Sequence, residues 1–259
     1  MKEIIMSEIQ FLIDREKCSG CGRCAADCQR RVLEIRDGKA VVVNEYCFKC
    51  GHCLAICPEN AVTFTGSTDE IWEISGRQVF LDEYSLIAHL KARRSVRQFK
   101  DTPVEKKKID KIIEAGRLSP TASNSQNVRY IVVQKEIDAM EDAVLAQYKS
   151  DIELPHTYSP ERLKRGFLFH NAPLVILVIS PSEINGCLAA MSMELMAEAL
   201  GLGTVYVGLF TKPANQNVKL RESLGLTEEE KIASCLAIGY SNIKFLRTAP
   251  KKAANVGWR

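Results

Sequence analysis

Two runs of cysteines near the start of the chain carry the clearest chemical signal. Each run has the spacing C-x2-C-x2-C-x3-C, and a proline follows only the second run. Thiolates at this spacing wrap cubane iron–sulfur clusters, and the fourth cysteine of each run binds the cluster of the other run. We therefore expect one-electron chemistry at two [4Fe–4S] clusters. One would be held by Cys18, Cys21, Cys24 and Cys57, and the other by Cys47, Cys50, Cys53 and Cys28.

Two four-cysteine zinc sites are the alternative use of these eight thiols. Zinc sites pair C-x2–4-C motifs across a longer gap. Three successive cysteines at x2 spacing, followed by x3, favour the cubane instead. Outside the runs, His89, His156 and His170 have no cysteine or carboxylate at metal-ligand spacing, so no further metal is assigned. The two remaining cysteines, at 187 and 235, are expected to be small buried core residues.

A basic segment and a polar loop further along could bind a phosphate and a flat heterocycle. The segment 93–97 reads Arg-Arg-Ser-Val-Arg, and guanidinium groups form paired hydrogen bonds with phosphate oxygens. The loop 119–126 carries the side-chain amides of Asn124 and Gln126. Taken singly, a solvated helix face explains the first pattern and a turn explains the second.

The elements that must position these residues mix helices and strands without strict βαβ repetition, which predicts an α+β fold. An Asp-Gly pair between apolar stretches predicts a hairpin over 32–43. Periodicity predicts helices starting near 81 and covering 103–116, 136–148, 187–200 and 215–224, and strands at 130–133, 174–179, 204–209 and 232–238. The helix 187–200 is apolar nearly all round, which indicates a core or dimer-interface position.

Length and composition predict two domains. A chain of 259 residues, 46% hydrophobic and 26% charged, suits a cluster domain at 1–65, a polar linker at 66–80 and a larger domain at 81–259. We find no cleavable signal and no run of eighteen apolar residues, so a membrane partner is not expected. The formal charge of +3 gives no nucleic-acid footprint. Thiols kept reduced for clusters indicate the cytoplasm.

The motifs, taken in order, resemble two known families. The cysteine runs resemble bacterial two-cluster ferredoxins. Four further segments resemble the FMN-dependent nitroreductase family, and they occur in that family's order: Arg-Arg-Ser-x-Arg-x-Phe at 93–99, Ser-Pro-Thr-Ala-Ser-Asn-Ser-Gln at 119–126, Gly-Leu-Gly-Thr-Val-Tyr-Val-Gly-Leu at 201–209 and the C-terminal arm from 237 to 258.

The second resemblance implies FMN, a homodimer and a set of flavin contacts. Arg93, Arg94, Ser95 and Arg97 would hold the phosphate and ribityl end or the pyrimidine edge of the flavin, with Arg247 reaching the phosphate. Asn124 would bond the pyrimidine side, with Gln126 close by, and the backbone of Val207, Gly208 and Leu209 would face the N5 and O4 edge. No catalytic side chain can be nominated as a proton donor.

These observations predict an iron–sulfur flavoprotein oxidoreductase. Electrons from a low-potential donor, such as a ferredoxin, or from NAD(P)H would pass through the clusters to FMN and on to a small-molecule acceptor such as a nitroaromatic or quinone. The cofactors supply the redox chemistry, and the protein supplies positioning and electrostatics. Two alternatives stay open: an electron carrier without a dedicated substrate, and an enzyme with specialised reductive chemistry on one metabolite.

Overall fold

The computed structural model of the protein describes residues 10–66, 69–74, 81–150, 155 and 158–259. The chain divides into two compact units: the first comprises Met1–Val79 and Ala122–Ser125, and the second Phe80–Thr121 and Gln126–Arg259. Parts of the predicted linker at 66–80 lie outside the described residues, and so does His156. The boundaries at 65 and 81 stay a prediction.

The first unit contains two small antiparallel sheets and two short helices. Strand β1 (Gln10–Ile13) pairs with β4 (Val62–Thr65), and β2 (Leu33–Arg36) pairs with β3 (Lys39–Val42). The helices are α1 (Arg23–Asp27) and α2 (His52–Ala55), one within each cysteine run. Asp37 and Gly38 have φ of 50° and 69°. Positive φ at both central residues is the type I′ turn that matches strand twist, so the predicted hairpin is confirmed. The sequence patterns gave no sign of β1.

Cysteines form part of the small core of the first unit. Its buried residues are Cys18, Cys24, Leu33, Ala40 and Ala61. A core of this size supplies little hydrophobic free energy, so a bound metal centre would contribute much of the stability of this unit.

The second unit is built on a four-stranded antiparallel sheet. Its strands lie in the order β5 (Arg129–Val133), β6 (Leu174–Ser180), β8 (Lys231–Gly239) and β7 (Gly203–Tyr206). All residues of the central strand β6 are buried, which explains its continuous apolar sequence. Helices pack on this sheet, and the α+β prediction is confirmed. The elements in chain order are α3 (Glu83–Ala92), α4 (Lys106–Arg117), β5 (Arg129–Val133), α5 (Ile137–Ser150), β6 (Leu174–Ser180), α6 (Glu183–Ala199), β7 (Gly203–Tyr206), α7 (Gly208–Gln216), α8 (Val218–Ser223) and β8 (Lys231–Gly239).

Two predicted elements near the end of the sheet are wrong in their bounds. The strand expected over 204–209 ends at Tyr206, because the N–H of Phe210 closes onto the carbonyl of Val207 and α7 begins at Gly208. The single helix expected over 215–224 is two helices. The side chain of Asn217 accepts a hydrogen bond from the N–H of Leu220 at 3.0 Å, and this N-cap starts α8.

Helix α6 has one buried face and one exposed apolar stripe, so it is not covered on every side. Ile184, Leu188 and Met191 lie along the stripe and are exposed. Cys187 is exposed on the same face, so its expected burial is wrong, whereas Cys235 is buried as expected. Over the described ranges, no helix is long and apolar enough to cross a membrane.

Candidate functional site

A small cavity in the first unit brings together one predicted set of cluster ligands. Cys18, Cys21, Cys24 and Cys57 all line it. Its remaining walls are largely apolar and include Ile13, Ile35, Ala40, Ala61 and Val62. An apolar shell of this kind limits solvent access to a metal centre and thereby tunes its potential.

The second predicted set is marked by the environment of Cys53. Burial, together with the neighbouring Cys47 and Cys50 of the same run and Cys24 of the first run, raises the pKa of its thiol to about 11. A bound metal would offset the cost of ionising Cys53 by stabilising its thiolate. The sulfur of Cys28, the fourth member of the predicted set, accepts a hydrogen bond from the N–H of Val32 at 3.4 Å.

Backbone N–H groups donate to sulfurs in both cysteine runs. The donors are Ala40 to Cys18, Val32 to Cys28, Lys49 to Cys47 and Ala61 to Cys57, at 3.4, 3.4, 3.3 and 3.3 Å. Such donors favour the charged thiolate and tune iron–sulfur clusters through their sulfurs. Among the described residues, no group of three or more His, Cys, Asp or Glu side chains could hold a single ion. The shared cavity and the N–H···S bonds fit a cluster.

The predicted flavin contact Asn124 lies in the first unit, together with the rest of Ala122–Ser125. Its Nδ2 atom donates to the carbonyl oxygens of Phe48 and Lys49, both at 3.1 Å. Ser123 and Asn124 adopt left-handed backbone conformations, with φ of 55° and 52°. This residue is therefore held against the loop between Cys47 and Cys50.

A large cleft in the second unit brings together four of the predicted flavin contacts. It has a volume of about 1110 Å³, and Arg97, Val207, Gly208 and Leu209 line it. The last two belong to the first turn of α7, where free N–H groups attract negative charge. Arg162, Lys164 and Arg165 add positive charge to the lining, and Glu161 adds one negative charge. The cleft is therefore suited to an anionic ligand with an apolar body.

The other polar residues of the basic segment 93–97 contact groups that are not part of the cleft lining. Nη1 of Arg93 lies 2.8 Å from Oε1 of Glu194, and the two form an ion pair with a buried carboxylate. Arg94 donates to the carbonyl oxygens of Arg93 and Ala249 at 2.6 and 3.3 Å. Ser95 forms a strand-like bridge with Thr204. None of Arg93, Arg94 and Ser95 is among the residues that line the cleft.

Two further predicted contacts lie outside the cleft lining. Gln126 has a positive φ of 47°, and its N–H donates to Oγ1 of Thr121 at 3.0 Å. Arg247 is exposed in the arm that follows β8, and no helix or strand is formed there from residue 242 onward.

A buried acidic group on α6 was missed by the sequence analysis. Glu194 is 1% exposed, and its charge acts on two neighbours. Burial and then the Glu194 carboxylate raise the pKa of Glu198 to about 7, and the same two causes raise the pKa of Tyr206, which lines the cleft. Nε2 of His89 lies 3.4 Å from Oε2 of Glu198. The available signal was the acid between Met193 and Leu195 in an otherwise apolar run.

A second buried carboxylate, Glu141 on α5, shapes the wall of the cleft. It accepts hydrogen bonds from the backbone N–H groups of Gly166, Leu168 and Phe169 at 2.7, 2.6 and 3.3 Å. Gly166 and Leu168 line the cleft. The sequence offered no signal for this role, because Glu141 lies in an ordinary helical pattern.

Comparisons with known proteins identify the family. Residues 90–240 match the nitroreductase family, and residues 10–58 match a 4Fe-4S dicluster domain. A protein of Archaeoglobus fulgidus, named as a candidate NADH dehydrogenase/NAD(P)H nitroreductase, is 30% identical over 159 residues, which are 57% of this chain and 80% of that protein.

Solved structures share the fold of the second part of the chain. A nitroreductase from Bacteroides fragilis with bound FMN has a TM-score of 0.58 at 22% identity, over 69% of this chain and 99% of that one. A nitroreductase from Desulfitobacterium hafniense with bound FMN has a TM-score of 0.56 at 25% identity, over 66% and 97%. The chain is an oxidoreductase that belongs to the nitroreductase family, with a 4Fe-4S dicluster domain ahead of the nitroreductase region.

Proposed function

We propose that single electrons travel in this protein through two [4Fe–4S] clusters to FMN and on to a small organic acceptor, such as a nitroaromatic or a quinone. The observation that carries the proposal is the presence in one chain of the cavity lined by four cysteines and the basic cleft lined by Arg97 and Val207–Leu209. A cluster protein without a flavin would need only the cysteine-lined cavity, and a flavin protein without clusters would need only the basic cleft.

The eight cysteines are proposed as ligands in the two sets expected from their spacing. In the first set, Cys18, Cys21, Cys24 and Cys57 share a cavity, which supports the crossing of Cys57 to the first run. In the second, Cys28 would complete the group around Cys53. The dicluster match over 10–58 supports a count of two, and the domain boundaries at 1–65, 66–80 and 81–259 are part of the proposal.

The residues of the cleft fit FMN. When bound, FMN would store two electrons and deliver them singly or as a hydride. The guanidinium of Arg97 would stabilise negative charge on the ligand, and the first turn of α7 would present its N–H groups to it. The relative from Desulfitobacterium hafniense binds FMN at 25% identity, which supports the same cofactor here. We keep Arg93, Arg94, Ser95, Asn124, Gln126 and Arg247 as proposed contacts on the strength of the family resemblance.

A homodimer is proposed from the exposed stripe of α6. Ile184, Leu188 and Met191 are 73%, 44% and 37% exposed, and an apolar stripe of this kind is favourable only when another surface covers it. A low-potential ferredoxin is the proposed donor, because clusters would be idle if NAD(P)H reduced the flavin directly. We propose the cytoplasm as the compartment, since the eight thiols must stay reduced.

Anaerobic quantitation of iron, sulfide and flavin tests this proposal. We expect about eight iron atoms and eight sulfides for two cubanes, with one FMN per chain. Cys47→Ala should lose about half of the iron, whereas Cys187→Ala, which changes an exposed cysteine outside the runs, should keep all of it. Two zinc ions and no iron would refute the cluster assignment.

Turnover assays separate the enzyme from a simple carrier. With reduced ferredoxin or dithionite as donor, an enzyme should reduce a nitroaromatic or quinone many times per flavin, whereas a carrier would discharge once. In Cys47→Ala, ferredoxin-driven turnover should fall at least ten-fold while FMN content stays unchanged. Unchanged ferredoxin-driven turnover in that variant would contradict the electron path.

A further inference from the structure

One peptide unit in the second cysteine run is held at both of its ends. The carbonyl of Phe48 and the N–H of Lys49 belong to the same peptide bond. That N–H donates to Sγ of Cys47 at 3.3 Å, and that carbonyl accepts from Nδ2 of Asn124 at 3.1 Å. Because the peptide group is planar, fixing the direction of its oxygen fixes the direction of its N–H. The Asn124 side chain therefore aims a hydrogen bond at a proposed cluster ligand that it does not touch.

The second hydrogen bond of Asn124 holds the following peptide as well. Its Nδ2 group has two N–H donors, and the other one bonds to the carbonyl of Lys49 at 3.1 Å. The two peptides on either side of Lys49 are thus fixed by one side chain. This leaves Lys49 little freedom to change its backbone conformation.

Lys49 needs such a restraint because its backbone is strained. Its φ is 52°, in the left-handed region that a lysine side chain disfavours. Strained residues of this kind persist only where the surrounding structure holds them. Without the two bonds from Asn124, we expect the loop to relax and the Lys49 N–H to turn away from Cys47.

The first cysteine run provides an internal comparison. Gly20 occupies the position between Cys18 and Cys21 that Lys49 occupies between Cys47 and Cys50, and its φ is 69°. Both runs therefore place a left-handed residue two positions after the first cysteine. Glycine adopts that conformation without strain, whereas lysine does not.

Arg30 holds the start of the same loop by a different set of contacts. The guanidinium of Arg30 lies over the rings of Phe48 and Tyr46, at 4.9 and 5.7 Å from their centroids. Its Nε atom also donates to the carbonyl of Tyr46 at 3.2 Å. These contacts anchor the start of the loop. The two hydrogen bonds from Asn124 fix the orientation of the peptides on either side of Lys49.

We propose that Asn124 is a positioning residue for the cluster bound through Cys47, acting through the peptide between Phe48 and Lys49. The inference rests on the proposed function, because it requires a cluster at Cys47. Hydrogen bonds to cluster sulfurs withdraw negative charge and raise the reduction potential. Asn124 would thus keep this cluster easier to reduce.

The test is a redox titration of the holoprotein, monitored by electron paramagnetic resonance, in wild type and Asn124→Ala. We expect the potential of one cluster to become more negative and the other to stay unchanged. Ser123→Ala changes an exposed neighbour in the same loop and should leave both potentials unchanged. Iron, sulfide and FMN contents are measured on the same samples.

Lys49→Gly makes the test independent of folding losses. In this background the loop is no longer strained, so Asn124→Ala should shift the potential much less than it does beside lysine. If Asn124→Ala alone loses one cluster, Lys49→Gly should restore it. A shift of equal size in both backgrounds, or a lost cluster that Lys49→Gly does not restore, would overturn the proposal.

Failure of the proposed function and failure of the role of Asn124 give different experimental results. Wild-type protein without iron would refute the proposed function itself. Wild-type protein with two clusters whose potentials do not change in Asn124→Ala would overturn only the role of Asn124. Loss of FMN with both potentials unchanged would also overturn it, because Asn124 would then act on the flavin alone.

Discussion

Replacing Glu141 perturbs the wall of the cleft, although Glu141 is not itself a lining residue, because it holds the backbone of Gly166 and Leu168. Glu141 is 2% exposed, and its two oxygens accept all three N–H groups of the turn at Gly166, Leu168 and Phe169. A carboxylate is the side chain suited to this task, because it only accepts hydrogen bonds. Glu141→Gln keeps the shape but places an NH2 group against one of these N–H donors. Glu141→Ala removes all three acceptors.

The magnitude follows from the number of hydrogen bonds lost. A hydrogen bond to a charged group contributes about 1.5–3 kcal/mol, and a buried donor left without a partner costs about 1–3 kcal/mol. Glu141→Gln loses one such bond, so the free energy of unfolding should fall by about 2–3 kcal/mol. Glu141→Ala opens space that water can enter, which offsets part of its larger loss, and we expect about 3–5 kcal/mol.

The assay is urea unfolding followed by circular dichroism, together with titration of FMN by fluorescence. Because Gly166 and Leu168 line the cleft, the affinity for FMN should fall about ten-fold or more in Glu141→Ala, in line with a distorted binding surface. Glu229→Gln, which changes an exposed carboxylate, should stay within about 0.5 kcal/mol of wild type. The reasoning is refuted if Glu141→Gln matches that control in both measurements.

Two further predictions concern ionisable groups of the second unit. Burial and then Glu194 raise the pKa of Glu198 to about 7, with Arg93 opposing them, so the folded state favours its protonated form and wild type loses stability as the pH rises from about 4.5 through 7. Glu198→Gln should therefore gain urea resistance over wild type from pH 5 to pH 8, and parallel pH profiles would contradict this. The hydrogen bonds from Arg129 lower the pKa of Glu230 to about 2, so Glu230→Gln should lower the free energy of unfolding by roughly 1–2 kcal/mol at pH 7. This loss should disappear as the pH falls from about 4.5 toward 2, because the Glu230 carboxylate of wild type becomes protonated over that range. A loss that stays constant with pH would exclude the ion pair as its source.

The parts of the fold that the sequence predicts well are those set by neighbours in the chain. The hairpin follows from Asp37-Gly38 alone, because that pair accepts positive φ at both positions. The all-apolar stretch Leu174–Ser180 can only be a covered element. The cysteine spacing likewise predicts that Cys57 binds the cluster of the first run; this assignment stays a prediction, and Cys57 lines one cavity with Cys18, Cys21 and Cys24. Each of these patterns needs no knowledge of distant contacts.

The parts that the sequence predicts poorly depend on contacts between distant residues. Whether Glu141 is a surface acid or a buried acceptor depends on a turn that lies about 25 residues away. The helix boundary at Asn217 depends on a side-chain cap that competes with a continuous apolar pattern. Cys187 lies in a helix whose sequence is apolar on both faces, so its exposure follows only from which face meets the sheet.

In the basic segment 93–97, arginines that look alike in the sequence have different partners in the structure. Arg93 and Arg97 look equivalent in sequence, but the charge of Arg93 is compensated by the buried Glu194 at 2.8 Å. A phosphate that recruited Arg93 would leave that carboxylate buried without its partner, which is costly. Arg97 faces the cleft, and its charge helps burial to lower the pKa of His170 on the same wall. Electrostatic attraction of an anionic ligand therefore depends more on Arg97 than on Arg93, although both belong to the same motif.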